Sequence, residues 1–87
     1  MRIISQGGNA DLPYEEIALC MACEDIIARH NDKEYLMARY STMEKAEKAI
    51  EMLHNDYYDH VAEKTYHEGY YYIHTCFRFP SDEDVEV

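Results

Sequence analysis

Apolar residues recur at three- and four-residue steps over residues 41–64, and this periodicity predicts one long helix. Ser41 is followed three residues later by Glu44, which fits a capping box whose side chains satisfy free amides at a helix start. We therefore expect the helix to begin at Ser41 and to run to about Lys64. The apolar stripe consists of Met43, Ala46, Ala49, Ile50, Leu53, Tyr57 and Val61.

Stretches of high β-propensity lie on both sides of this helix and predict strands. Pro13 makes residues 11–14 a connector, because proline supplies no amide to a ladder. Turns are predicted at three places: at Gly7, Gly8 and Asn9, at Glu24 and Asp25 after Cys23, and at residues 31–33. The predicted strands are residues 2–5, residues 17–22 as a buried strand, residues 26–30, residues 35–40 with alternating faces, and residues 70–79.

The order of strands, helix and strand predicts an α+β fold: a mainly antiparallel sheet of four to five strands packed against one long helix. The first strand is expected to be an edge of the sheet or a partner of the last strand. Residues 1–80 form the single domain, and 87 residues is near the lower limit for one hydrophobic core. Residues 81–87 carry four acids and are expected to be a flexible tail.

The charge balance bears on the kind of partner. Eighteen acidic residues against eight basic ones leave a formal charge of −10, which repels phosphate backbones and anionic membranes. The same field favours a basic protein surface, including one that normally holds nucleic acid. There is no apolar run long enough to span a membrane. The candidate partner-binding residues on the helix are Glu47, Glu51, Asp56, Tyr58 and Asp59.

Cys20 and Cys23 form a C-x-x-C pair, and His74 and Cys76 are two residues apart on the last predicted strand. Thiolates and imidazole at such spacings predict a tetrahedral zinc site that links the early strands to the last predicted strand. His30 is the substitute ligand. Two alternatives remain: buried cysteines without a metal, and redox chemistry, which the acids beside Cys23 disfavour. An odd number of cysteines and no signal segment favour a reducing, cytoplasmic setting.

A second polar group lies toward the helix end. Asp56, His60, Glu63 and His67 are spaced so that a surface metal site or an acid–base pair is possible. A solvated polar face near a helix C-terminus explains the same residues without chemistry. The chain has no G-x-S-x-G, no glycine-rich phosphate loop and no H-E-x-x-H. We therefore expect a binding protein and not an enzyme.

Three stretches carry a resemblance to a known group: MRIISQGGNADLPYE at the start, LMARYSTMEKAEKAIEML over residues 36–53, and FRFPSDEDVEV over residues 77–87. The chain resembles small acidic proteins encoded by phages and prophages of streptococci and related Firmicutes, among which are anti-CRISPR proteins directed at type II-A systems. These stretches are sequence signatures and contain no catalytic motif. The three cysteines are not shared across the whole group, so a metal site would belong to a subgroup.

The resemblance implies an inhibitor that binds the RNA-guided type II Cas nuclease and blocks nucleic-acid loading in the host cytoplasm. An acidic, tyrosine-rich domain is compatible with that role. Charge sets the rate of encounter with the partner, and aromatic contacts set the lifetime of the complex. One alternative is a zinc-stabilised phage accessory protein that binds another host protein. A third class is a small metal-dependent hydrolase that uses His60 and Glu63.

Overall fold

A computed structural model describes residues 1–66 and 76–87, and of residues 60–66 the backbone only. Within these residues the fold is α+β, with one α-helix and two small three-stranded sheets. The fold class expected from the sequence is therefore confirmed. The elements are β1 (Arg2–Ile4), β2 (Asp11–Pro13), β3 (Ala18–Ala22), β4 (Asp25–His30), β5 (Lys33–Arg39), α1 (Met43–Tyr66) and β6 (Cys76–Arg78), with 3-10 turns at Tyr14–Glu16 and Asp82–Asp84.

The described strands form two sheets where one sheet of four to five strands was expected. The first sheet has the order β2-β1-β6, and the second is the meander β3-β4-β5. In the first sheet β1 pairs antiparallel with β2 and parallel with β6, with Ile3 between Leu12 and Phe77. Of the two alternatives for the first strand, pairing with the last strand is thus confirmed for residues 76–78, whereas β1 is not an edge because it lies between β2 and β6. Residues 70–75 of the predicted last strand lie outside the described residues.

Two segments differ from their expected roles. Residues 11–13, expected to be a connector, form β2, which is an edge among the described strands. Pro13 is tolerated there because none of those strands pairs with the outer side of β2. Strand β3 was expected to be buried, yet Ala18, Cys20 and Ala22 are exposed and only the alternate residues are partly covered. This run of apolar residues therefore belongs to a sheet that has one face exposed to solvent.

Both turns of the meander have two residues. Ala22 pairs with Asp25 across Cys23 and Glu24, and Cys23 has a φ of 58°. In the next turn Asn31 and Asp32 have φ values of 51° and 63°. Positive φ at both central positions matches the right-handed twist of the flanking strands. These short turns set the register of β3 with β4, and that of β4 with β5 as far as the pair of Ile27 and Leu36.

A β-bulge interrupts the pairing of β4 with β5. Ile26 is opposite Ala38 while Ile27 is opposite Leu36, so Met37 is the additional residue. Met37 and Ala38 are both buried, at 1% and 2% exposure. The predicted strict alternation along residues 35–40 was therefore wrong, because a bulge places two successive side chains on the core side.

Helix α1 is capped by Thr42 and not by Ser41. The Thr42 hydroxyl accepts a hydrogen bond from the Lys45 amide at 3.2 Å, and the helix begins at Met43. Thr42 thus satisfies one amide of the first turn. The predicted capping box of Ser41 and Glu44 was wrong, because each residue lies one position before the pair that forms the cap, Thr42 and Lys45.

The apolar stripe of α1 packs on the meander. Ala46, Ala49 and Leu53 are fully buried, whereas Met43 at the helix start is 52% exposed. Small alanines allow the helix to approach the sheet closely, and Leu53 fills the space beyond them. The buried core consists of Ile3, Leu12, Ile26, Ala28, Met37, Ala38, Tyr40, Ala46, Ala49, Leu53, Phe79 and Val85.

Gln6 joins the two sheets at the end of β1. Its amide donates a hydrogen bond to the Met37 carbonyl at 2.7 Å, and its side-chain oxygen accepts one from the Arg39 amide at 3.1 Å. Its side-chain Nε2 donates to the Pro80 carbonyl at 3.0 Å. One partly buried side chain therefore links β1, β5 and the segment after β6.

Residues 81–87, expected to be a flexible tail, pack against the body of the molecule. Val85 is 2% exposed and belongs to the core. The Pro80 carbonyl before this segment accepts a hydrogen bond from the Tyr40 hydroxyl at 2.7 Å. Burial, with Asp82 nearby, raises the pKa of Tyr40 to about 12, so this hydroxyl keeps its proton at neutral pH. The acidic composition of residues 81–87 gave no sign that Val85 is buried in the core.

Candidate functional site

The outward side of α1 presents acids and one aromatic ring on a common line. Glu44, Glu47 and Glu51 are exposed, and Tyr58 is 74% exposed. Steps of three, four and seven residues place these positions on the same side of a helix. We call Glu44, Glu47, Glu51 and Tyr58 the acidic helix face. It lies opposite the buried alanines, so the fold does not use it for packing.

The other predicted contact residues flank this face. Asp59 is exposed, whereas Asp56 is partly buried. Tyr57, which the stripe predicted to be buried, is partly buried and stacks on Tyr14 with ring centroids 4.3 Å apart. Burial and the neighbouring Tyr57 raise the pKa of Tyr14. The two adjacent tyrosines of α1 thus have different surroundings, and only Tyr58 offers its ring to solvent.

The acidic helix face carries little compensating positive charge. Lys48 approaches Glu51 at 3.6 Å, and both side chains are substantially exposed. An exposed pair at this spacing contributes at most a few tenths of a kcal/mol, about 0.3 to 0.5. Lys45 instead binds the 3-10 turn after β6, with its Nζ 2.8 Å from the Asp82 carbonyl oxygen. Glu44 and Glu47 are therefore left to act as negative charge at the surface.

The predicted zinc ligands are distributed over both sheets. Cys20 lies in β3 and Cys23 in the turn after it, while Cys76 lies in β6, and all three are exposed. His74 lies outside the described residues. Within the described ranges no three His, Cys, Asp or Glu side chains come together to hold a metal ion. The substitute ligand His30 ends β4. The zinc site thus stays a prediction.

The second polar group of the sequence is largely outside the description. Asp56 is described, whereas the side chains of His60 and Glu63 and all of His67 lie beyond the described part of the chain. The proposed acid–base pair therefore stays a prediction as well.

The outer face of the meander was not predicted from the sequence. It has an apolar middle row, in which Cys20 pairs with Ile27 and Ile27 with Leu36. Leu36 is 50% exposed. Counting outward from the two-residue turns would have found this row, because a turn of known length fixes which residues are opposite each other.

Charged pairs border this apolar row on both sides. Arg29 binds Glu34 at 2.7 Å, and Arg39 binds Asp25 at 2.9 Å. The Arg39 hydrogen bond lowers the pKa of the Asp25 carboxyl, and the Glu34 hydrogen bond raises the pKa of Arg29. Residues 18–39 hold four acids and three bases, so the other 65 residues carry −9 of the formal −10. This face is the nearly neutral part of an acidic molecule.

Comparison with known proteins found no match: no family model, no curated protein and no solved structure is similar to the chain. In the described residues no helix has the apolar length that crossing a membrane requires. The two surfaces above are therefore the features from which a function can be argued.

Proposed function

We propose that this chain is an inhibitory binding protein that occupies a basic surface of its partner, and that it performs no catalysis. The observation that carries the proposal is the acidic helix face. Its carboxylates are exposed, and the side chain of Tyr58 is 74% exposed. A large exposed ring on the same side of a helix as three carboxylates suits a contact with a basic protein surface.

The partner we propose is an RNA-guided type II Cas nuclease, and blocking of nucleic-acid loading is the mode. This identity rests on the resemblance of three sequence stretches to acidic phage proteins, among which are anti-CRISPR proteins. The physical support is general. Nucleases of this class hold their guide and target in positively charged channels, and a formal charge of −10 favours entry into such a channel.

Charge and aromatic contact have separable effects in this proposal. The carboxylates at Glu47 and Glu51 accelerate encounter, so association slows steeply as salt rises from low to physiological ionic strength. Tyr58 fills a site on the partner and lengthens the lifetime of the complex, so Tyr58→Ala acts mainly on dissociation.

The test combines the purified chain with a type II-A nuclease and its guide RNA. A complex on a sizing column and loss of DNA cleavage at equimolar inhibitor support the proposal. The variant E47K/E51K is expected to weaken inhibition, while E16K/E86K serves as the control because it makes the same change of net charge at exposed sites elsewhere. Thermal melting should show that both variants stay folded.

Two results would defeat different parts of the proposal. Absence of a complex and undiminished cleavage would remove the nuclease as partner. Equal weakening by E47K/E51K and E16K/E86K would show that net charge alone matters and would remove the acidic helix face as the contact.

The structural zinc is proposed separately and has its own test. Zinc held by Cys20, Cys23, His74 and Cys76 would stabilise the fold by joining β3 to the residues around β6. Elemental analysis of protein purified without chelator should then give about one zinc per chain. C76S should lower that content and the melting temperature together. A zinc content below about a tenth per chain would exclude the site.

A further inference from the structure

Among the strands that the structure describes, β3 is an open edge of the meander. Within the described residues it pairs with β4 alone and lies at the end of the order β3-β4-β5. Its five residues, Ala18 to Ala22, contain no charge and no proline. Natural edge strands usually carry lysine, proline or a bulge that prevents pairing with another chain. None of these devices is present in β3.

The backbone groups at this edge follow from the turn. Ala22 and Asp25 close a two-residue hairpin and are therefore a hydrogen-bonded pair. Pairs alternate along an antiparallel ladder, so Cys20 and Ala18 also direct their amides toward β4. The amides and carbonyls of Leu19 and Met21 consequently face the open edge, where they are available to another strand.

We propose that β3 pairs antiparallel with β3 of a second copy of this chain, centred on Cys20. The sequence Ala-Leu-Cys-Met-Ala is symmetric in side-chain size about its middle residue. A two-fold axis at Cys20 places Ala18 opposite Ala22 of the second copy and Leu19 opposite Met21 of the second copy. Small residues thus meet small ones, and the partly buried apolar residues meet each other.

The balance of charge allows a second copy in this register, because the meander carries only −1 of the formal −10 and two copies that meet here avoid the repulsion of the acidic surface. The row that contains Ala18 continues to Arg29, and the row that contains Ala22 continues to Asp25. Across the two-fold axis Arg29 shares a row with Asp25 of the second copy, about 14 Å away. Each stays bound to its partner within its own copy, so this register sets no like charges opposite each other. The nearly neutral meanders of the two copies would form one continuous sheet, and the acidic helix face takes no part in the pairing.

Pairing would also extend the apolar middle row. Cys20, Ile27 and Leu36 of one copy and the same residues of the second would form one stripe across six strands. Cys20 would lie opposite Cys20 of the second copy as a non-hydrogen-bonded pair, where Cα atoms are about 4.5 Å apart. That separation is within the range that a disulfide spans.

The first test is cross-linking of single-cysteine variants with a mild thiol oxidant such as diamide. Two Cys20 thiols would lose two protons and two electrons to the oxidant and form one disulfide. C23S/C76S, which keeps Cys20, should yield a covalent dimer rapidly. C20S/C76S is the matched control, because the proposed register places the two Cys23 residues about 20 Å apart. Equal cross-linking of both variants would overturn the register.

The second test changes charge at exposed positions of β3. Sedimentation of the wild-type chain from micromolar to millimolar concentration should approach twice the chain mass of 10.3 kDa. A18K/A22K places lysines opposite each other twice and should weaken the dimer at least about tenfold. A18E/A22K uses the same two sites but places glutamate opposite lysine across the axis, and glutamate opposite Arg29 and lysine opposite Asp25 within each copy, so it should restore the dimer.

Each alternative outcome contradicts the proposal. A wild-type chain that sediments as a monomer at every concentration excludes the dimer. A dimer that A18K/A22K and A18E/A22K affect equally uses another surface. Neither result bears on inhibition of a nuclease, which the acidic helix face would carry, so the two proposals can fail independently.

Discussion

The carboxylate of Asp82 accepts a hydrogen bond from the backbone amide of Ser41, with the nitrogen and oxygen 2.7 Å apart. The contact joins the 3-10 turn after β6 to the residue before the cap of α1. Lys45 in the first part of the helix also binds this turn, with its Nζ 3.4 Å from the second carboxylate oxygen. A negative charge at a helix N-terminus is favourable because it opposes the positive end of the macrodipole.

Removal of this charge is expected to lower stability in a pH-dependent way. The Ser41 amide, followed by Lys45, holds the pKa of Asp82 below its ordinary value. A lowered folded pKa contributes stability above the unfolded value, about 3.9, and the contribution disappears as pH falls through the folded value. D82N should therefore melt at a lower temperature than wild type at pH 7, and the difference should shrink below about pH 4.

Glu83→Gln is the control for that experiment, since Glu83 is an exposed neighbour in the same turn. Thermal melting followed by circular dichroism at several pH values measures both variants. A difference between D82N and wild type that stayed constant down to pH 2 would show that the carboxylate charge is not the cause.

Val85 provides a test of how firmly residues 81–87 are attached. It is 2% exposed, whereas Val87 is 71% exposed. Val85→Ala removes two buried methyl groups and should lower the free energy of unfolding by about 1 to 3 kcal/mol. The same truncation at Val87 should change it by less than about 0.5 kcal/mol. Urea denaturation measures both, and equal effects would mean that the segment is not part of the core.

Leu53 tests the buried side of α1. Leu53→Ala leaves a cavity among fully buried neighbours and should destabilise the fold by about 2 to 5 kcal/mol. Met43→Ala is the control on the same helix, because Met43 is 52% exposed. A loss at Met43 as large as the loss at Leu53 in chemical denaturation would contradict the assignment of helix faces.

Gln6 tests the link between the sheets. Gln6→Glu keeps an acceptor for the Arg39 amide but loses the donor to the Pro80 carbonyl and places a negative charge beside it. The cost should be about 1 to 3 kcal/mol at neutral pH, and it should diminish at low pH as the new carboxyl gains a proton. Asn9→Asp adds the same charge at an exposed position in the same turn. Urea denaturation that ranks the two variants equally would remove this role of Gln6.

Local pattern was sufficient for much of the fold and for part of the site. The long helix, the three strands of the meander and the exposure of Tyr58 follow from side-chain periodicity and turn residues, which are properties of a few neighbouring positions. The outer apolar row of the meander follows as well, once the two-residue turns set the register. By contrast, the cap of the helix is Thr42, and the Ser41 amide before it donates a hydrogen bond to Asp82, a residue 41 positions away.

The sequence by itself determined the α+β class, the acidic surface and the side of α1 that is buried. Only the tertiary structure decided that the described strands divide into two sheets, that a bulge turns both Met37 and Ala38 inward, and that Val85 anchors an acidic segment. The physical reason is that periodicity and charge act between neighbours in the chain. Burial and strand partnership depend on which distant residues meet, and a single valine among acids gives no local sign of such a contact.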